Sequence, residues 1–415
     1  MAKTEVIAGL DMGSGRATCL IGTLDPHRQV LKVLGGASVP CRGLKGGVVV
    51  NIHEASMAVT KAVEEAEASA GNNTTITALY MGVRGGHLQA FNNRGAFNIA
   101  RTDREITAED VNSVVSSAKA IPLSTDRQIL HVVPQGFSLD RQRGVPDPVG
   151  MEANLLEVEV HIVTGSPAHL SNLTKAVNHA GFQVIEPVYG LLALGELLVT
   201  PEEKDLGSVL IDIGGQSLSI GVYYEGSVRY TKEFSIGSDF ITRDLAMGLG
   251  TTLVTAERIK MEHGFAHPSM LNGDKDIHFV AIDGRSERVV KTSTMMGFIL
   301  PRVEEIFSLV ADDLRASSFA DLVVSGGAIL TGGGALLRGA ADAAAQVLEL
   351  PVRMGLPHPD QVESDEKWLG MPYATAMGLL HYSGQTHWSG GPSRLAGRKR
   401  SIWTRRLSSW FEDLF

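Results

Sequence analysis

The sequence predicts an α/β fold of two related halves, with a small α+β insertion in the first and an amphipathic helix at the end of the chain. Three observations carry this reading. A strand–aspartate–glycine hairpin occurs twice, and aligning Asp11 with Asp212 also aligns Gly13 with Gly214, at an offset of 201 residues. Apolar strand-like runs alternate with helical patterns around both hairpins. The formal charge is unevenly spread: residues 394–415 carry six basic side chains against Glu412 and Asp413, leaving +4, so residues 1–393 hold −13 of the total −9.

The elements follow in order. Runs 6–10, 17–24 and 31–39 are rich in Val, Ile and Leu and read as consecutive strands; 52–70 reads as a helix closed by Gly71, and 76–83 as a returning strand. Residues 84–162 differ in character. A capping-box start at Thr107 opens a helix to Lys119, and strand-like runs at 128–133 and 155–163 flank a polar segment at 142–148. Ser166-Pro167 opens a helix to His179. From Ser208 the opening pattern recurs, with strands at 208–213, 218–224 and 227–234 and helices from about Asp239 and Val254. Strands are expected at 277–282 and 288–292, a long helix at 294–318, a strand at 328–330 and a helix at 335–348. Residues 383–397, rich in Ser, Gly and His, read as a flexible linker.

Composition narrows the function classes. A length of 415 exceeds the usual single domain of roughly 100–200 residues. With 44% hydrophobic and 20% charged residues the chain builds folded cores. Its 46 glycines have no period, which excludes a collagen-like structure and points to turns and ligand loops. The acidic body argues against nucleic-acid binding. Cys19 and Cys41 cannot make a disulfide framework, so a reduced cytosolic setting is expected. The start lacks a secretion pattern, and the most apolar stretch, 189–200, is short and contains Glu196; neither export nor a membrane span is expected.

The two hairpins suit an anion. Glycine lets backbone N–H groups turn toward a phosphate, and an aspartate at the strand end is placed to hold Mg²⁺, usually through its waters. Either motif alone reads more readily as an ordinary β-hairpin; the repetition reverses this and favours a clamp on one triphosphate. The run Thr331-Gly332-Gly333-Gly334 offers bare backbone to an adenine or ribose, though a plain helix start looks the same. Glu257 and Lys260 share a helical face suited to ribose hydroxyls and base, or form a surface ion pair. His263 and His267 lie i,i+4, but Gly264 and Pro268 spoil the helix a metal site would need.

These motifs, in this order and spacing, resemble the actin/Hsp70/sugar-kinase ATPase superfamily, and within it the FtsA cell-division family. The segments carrying the likeness include Arg42-Gly-Leu-Lys-Gly-Gly-Val48, His131-Val-Val-Pro-Gln135, Asp147-Pro-Val-Gly150, Ala256-Glu-Arg-Ile-Lys260 and Ala376-Met-Gly-Leu-Leu380. The resemblance implies an actin-like (ribonuclease H-like, duplicated) fold around an ATP cleft. It implies subdomain 1A at 1–83 with 163–197 and 351–382, the family's own subdomain 1C at 84–162, 2A at 198–235 with 306–350, and 2B at 236–305. By similarity Asp11, Gly13, Ser14, Gly15 and Arg16 form the first phosphate loop and Asp212, Gly214, Gly215 and Gln216 the second. Glu257, Lys260, Gly332, Gly333 and Gly334 would line the nucleoside, and Asp11 and Asp212 would hold Mg²⁺. The chain departs from the family pattern at Gln216 for a third glycine, Ser217 for Thr, Ser219 for a second Asp and Arg16 for Lys. ATP binding with slow or absent hydrolysis is therefore expected.

At 100° per residue, Trp403, Leu407, Trp410, Phe411, Leu414 and Phe415 fall within an arc of about 140°. Arg405 and Arg406 lie on the other side, and Arg398-Lys399-Arg400 precedes the helix. Aromatic residues on one face with basic residues beside them suit a headgroup boundary and anionic lipid, although a core-docking helix is the commoner use of this pattern. The resemblance implies actin-like filaments of the chain itself on the inner membrane at the division site. It also implies that these tether the tubulin-like protein FtsZ, whose C-terminal peptide docks on subdomain 2B, and that later division proteins meet subdomain 1C. Two alternatives come from the same superfamily: a small-molecule (sugar) kinase, for which no catalytic aspartate stands out, and a PilM-like pilus-assembly adaptor, which lacks the insertion and the tail.

Overall fold

The duplication read from the hairpins extends to whole sheets. The computed structural model describes residues 6–25, 30–71, 74–317 and 319–387. In the first half β1 (Ile7–Met12), β2 (Arg16–Leu24) and β3 (Leu31–Pro40) run antiparallel in turn. After the short pair β4 (Leu44–Lys45) and β5 (Val48–Val49) comes helix α1 (Ile52–Ala70). Asn51 caps it by accepting from the Glu54 N–H, and its buried stripe of Ala55, Val59, Ala62, Val63 and Ala66 lies on the sheet. Strand β6 (Ala78–Val83) then returns parallel to β1.

The insertion is a separate layer. Strands β7 (Gln89–Asn98), β8 (Gln128–Leu139), β9 (Gln142–Val145) and β10 (Leu155–Gly165) form a sheet in the order β7-β10-β8-β9. Helix α2 (Ala108–Lys119), opened by the Thr107–Asp110 capping box, packs on it over a core including Val111, Val114, Phe137 and Leu156. The insertion also reaches the second half. The Gln135 amide donates to the Val228 carbonyl at 2.8 Å, the Asn92 amide to the Arg229 carbonyl at 2.9 Å, and His161 Nε2 lies 2.9 Å from the Thr231 hydroxyl.

Helix α3 (Pro167–His179), strand β11 (Gln183–Tyr189, parallel to β6) and helices α4 (Gly190–Leu198) and α5 (Pro201–Leu206) lead to the second half. There β12 (Ser208–Ile213), β13 (Leu218–Tyr224) and β14 (Ser227–Phe234) repeat the antiparallel trio. Helices α6 (Ser238–Leu249) and α7 (Leu253–His263), the hairpin β15 (Asp276–Val280) and β16 (Glu287–Lys291), and helix α8 (Thr292–Ala316) follow. Then β17 (Ala328–Thr331) lies parallel to β12, and after α9 (Ala340–Leu348) β18 (Val352–Met354) extends the sheet. The chain crosses back: β19 (Val362–Glu363) joins β3, and α10 (Ala374–His387) lies against β1, β2 and β6. The sheets read β11-β6-β1-β2-β3-β19 and β14-β13-β12-β17-β18, one order used twice.

Four local expectations differ from the structure. Residues 89–98 form a strand that the sequence does not announce, because it is polar and draws its regularity from pairing with β10 along its whole length. The polar segment from Gln142 also forms a strand, after a turn in which Asp140 and Arg141 both have positive φ. The helix expected over 335–348 is split by Gly339, at φ 78°, into a 3₁₀ turn at Gly333–Leu336 and α9. Residues 383–387, expected in the linker, continue α10; Ser383 is buried and bonds the Leu380 carbonyl, which the polar composition does not reveal. Cys19 and Cys41 are buried free thiols.

Candidate nucleotide-binding site

β1 and β12 have six residues each, and each carries its aspartate fifth. Both hairpins close on the same bond: the Gly13 N–H donates to the Arg16 carbonyl at 2.9 Å and the Gly214 N–H to the Ser217 carbonyl at 2.8 Å. These two amides thus hold the turn and are spent there. Asp11 stands beside Gly82 of β6, and Asp212 beside Thr331 of β17.

The two carboxylates meet on one cation. Two residues past Gly82, Arg84 sends Nη2 to both Asp11 oxygens, at 2.9 and 3.0 Å, and to the Thr375 hydroxyl at 2.9 Å. Its Nη1 donates to Asp212 Oδ2 at 3.3 Å, so a single guanidinium joins the halves. Burial opposes the charge on Arg84, but Asp11, Asp212 and Glu233 outweigh it and raise its pKa. Asp212 is 4% exposed; burial pushes its carboxyl up, and Arg84 opposes that.

The Arg84 backbone is fixed from both sides. Gly47 and Gly85, at φ 80° and 110°, stack the turn after β4 on the chain after β6; a Cβ on Gly47 would lie 2.0 Å from the Arg84 carbonyl oxygen. From the second half, Glu233 accepts from the Gly85 N–H at 3.0 Å and from the Tyr189 hydroxyl at 2.8 Å, while burial lifts its carboxyl to about 7.

The expected site residues divide by surroundings. Ser14 Oγ accepts from the Gly46 N–H at 2.9 Å, tying the first loop to the Gly46-Gly47 turn. Arg16 does not join the cleft cluster: it holds the Ser38 hydroxyl, at 2.8 Å, and the Ser38 carbonyl on β3. Gly15 and Gly333 border open space, since a Cβ on either would meet nothing within 4 Å. The Gly214 and Gly215 carbonyls accept from Ser238 and Asp239 at the start of α6, at 2.9 and 2.8 Å. The Gln216 amide donates to Asp239 at 2.9 Å, so the side chain that stands in place of a third glycine is held by α6.

Lys260 is a buried bolt. It reaches the Ser238 carbonyl at 3.2 Å, the Thr242 hydroxyl at 2.8 Å and Glu257 at 2.7 Å, leaving Glu257 as the more exposed partner. Gly332 backs onto Asp212, and Gly334 onto Ile213. The loop after α7 is bridged to the chain beyond them, the Ala266 N–H donating to the Arg338 carbonyl at 2.7 Å. One connected wall therefore carries Asp212, Gly214, Gly215, Gln216, Glu257, Lys260 and Gly332–Gly334.

The expected Mg²⁺ does not fit this arrangement. The place between Asp11 and Asp212 is filled by a guanidinium that bonds both carboxylates. Arg84, Thr375, Asp239 and Glu233 are the residues sequence reasoning missed. A signal for Arg84 exists: Gly82-Val-Arg-Gly-Gly86 follows β6 as Thr331-Gly-Gly-Gly334 follows β17, which sets Arg84 in the place of Gly333.

Residues 85–164 match the family described as the SHS2 domain inserted in FtsA, and residues 209–378 match cell division protein FtsA. Cell division protein FtsA of Pseudomonas aeruginosa is 32% identical over 99% of this chain and 98% of its own length. The chain belongs to the FtsA family of cell division proteins. The Neisseria meningitidis member is 35% identical over 91% of this chain and 90% of its own, and the Escherichia coli member 31% identical over 99% and 98%. Among solved structures, a PilM–PilN type IV pilus biogenesis complex covers 91% of this chain and 98% of that chain at TM-score 0.66 and 17% identity. MreB5 of Spiroplasma citri bound to ADP covers 90% and 95% at TM-score 0.53 and 13% identity. These likenesses show the actin-like ATPase fold. FtsA membership over nearly the whole chain sets aside the sugar-kinase and pilus-adaptor alternatives.

Among the described residues no helix is long and apolar enough to cross a membrane. The amphipathic segment, with Arg398, Lys399, Arg400, Trp403, Arg405, Arg406, Leu407, Trp410, Phe411, Leu414 and Phe415, lies outside the described residues.

Proposed function

We propose that this FtsA-family chain binds ATP between its halves, self-associates through the actin-like body and anchors FtsZ filaments to the cytoplasmic face of the inner membrane at the division site. The observation that carries the ATP reading is the pair of matched hairpins converging on one cation beside open glycine backbone at Gly15 and Gly333. Glu257, the exposed end of the Lys260 bolt, is the residue we assign to the ribose.

The anchor rests on the tail's aromatic face and basic residues. One amphipathic helix binds reversibly, and filament formation multiplies the tails that act together. For the FtsZ peptide, residues 236–305 offer an apolar surface at the α6–α7 turn. Met247, Leu253, Val254 and Ile282 are all exposed, Val254 at 81%, and the Ile282 N–H donates to the Gly250 carbonyl between the two helices. Met261 continues the Val254 stripe two turns along α7.

FtsZ recruitment to anionic vesicles tests both contacts at once. The full chain is expected to bring FtsZ to the lipid. Removing residues 398–415, or changing Trp410 and Phe411 to Glu, should leave both proteins in solution. Val254→Glu should leave this chain on the vesicle and FtsZ in solution; lipid binding that survives loss of the tail would refute the anchor. Hydrolysis is expected to be slow, since the chain has Ser219 where a second carboxylate is usual. A turnover on the order of 1 s⁻¹, a low but ordinary enzyme rate, would overturn that expectation.

A further inference from the structure

The strongest unexplained feature is the chemistry between the two aspartates. Asp212 is almost fully buried, Asp11 lies across the cleft, and two such carboxylates need a cation between them. A divalent ion is one solution. This chain holds another in place: Arg84, 12% exposed, bonded to both aspartates and to Thr375, with its backbone pinned by Gly46-Gly47 on one side and Glu233 on the other. Its Nη1 also lies beside Gly214, 3.6 Å from where a Cβ on that residue would stand, so the guanidinium borders the second phosphate loop.

We propose that Arg84 serves as the built-in cation of the cleft, so that nucleoside polyphosphate binds without a divalent metal. The proposal rests on the reading of the cleft as an ATP site. For Mg²⁺ to take the usual place it would have to expel a guanidinium fixed by hydrogen bonds from both halves. A planar guanidinium can instead keep its carboxylate contacts on one edge and meet an anion with the rest of its N–H fork. An arginine remains charged at any working pH, so this cation is present whether or not a metal is.

The test is equilibrium binding of a fluorescent ATP analogue to the full chain, with millimolar Mg²⁺ or with excess EDTA. The wild-type affinity is expected to change less than about tenfold between the two conditions. Arg84→Met should lose binding in EDTA and regain it with Mg²⁺, which can then reach Asp11 and Asp212. Wild-type binding only with Mg²⁺ would overturn this proposal and leave the ATP reading standing, whereas no binding in either condition would overturn both. Metal-independent binding by Arg84→Met would also overturn it. If that variant fails to fold, Arg84→Lys keeps the charge, and the wild-type comparison decides alone.

Discussion

Replacing Gly332 with alanine is expected to cost the protein both its nucleotide site and much of its second-half stability. Gly332 sits at φ 88°, where a non-glycine residue costs about 1–3 kcal/mol. Its new Cβ would lie 2.2 Å from Asp212 Oδ1 and 2.5 Å from the Ile213 carbonyl oxygen, and the crowding adds about 1–3 kcal/mol more. The displaced carboxylate is one of the two that Arg84 holds, so the damage passes straight into the cleft. Gly333→Ala is the control, because its Cβ enters open space. That variant should melt within a degree or two of the parent, each kcal/mol being worth about 2–4 °C even in a smaller domain, and should weaken ATP binding where Gly333 lines the nucleoside. Equal melting temperatures for Gly332→Ala and the parent would contradict the close packing of the third loop on Asp212.

Acidification should act through His131, as it should through His87 and His161, which burial lowers to the same range. His131 Nε2 accepts the Tyr189 N–H at 2.9 Å, a backbone donor that cannot turn away, and burial lowers the pKa of His131 from 6.5 to about 4. The sign follows directly. A histidine held neutral in the fold contributes stability that is whole above pH 6.5 and is lost as the pH falls toward 4. At 1.36 kcal/mol per unit this is at most about 3 kcal/mol. Glu186 and Glu233, both raised to about 7 by burial, act in the opposite direction: they gain stability as they protonate below pH 7. The clean readout is therefore a difference. His131→Gln keeps an acceptor for Tyr189 and removes the titration, so between pH 6.5 and 4 its denaturant stability should fall less than the parent's. Parallel curves for the two proteins would sink the assignment.

The parts of the fold legible in the sequence are those set by local rules. Helix α1, from Ile52 to Ala70, is bounded by an Asn cap and a glycine, and the trio Ser208–Ile213, Leu218–Tyr224 and Ser227–Phe234 consists of apolar runs cut by turn residues. Strands β7 and β9 escaped because polar residues on half-exposed strands carry no period of their own, and their partners supply the order. The site divides in the same way. Asp11, Asp212 and their glycines are visible because they repeat in register, whereas Arg84 has no copy in the second half.

By itself the sequence determined the duplication, the pairing of aspartate with glycine in each half, the inserted domain and the basic aromatic tail. All of these are written in residue type and spacing over short stretches. Only the tertiary structure decided what lies between the aspartates. Arg84 is 73 residues from Asp11, 128 from Asp212 and 291 from Thr375, and no local pattern joins positions so far apart. Packing two sheets of one order around a shared cleft brings them within hydrogen-bond reach, and the burial there demands a cation.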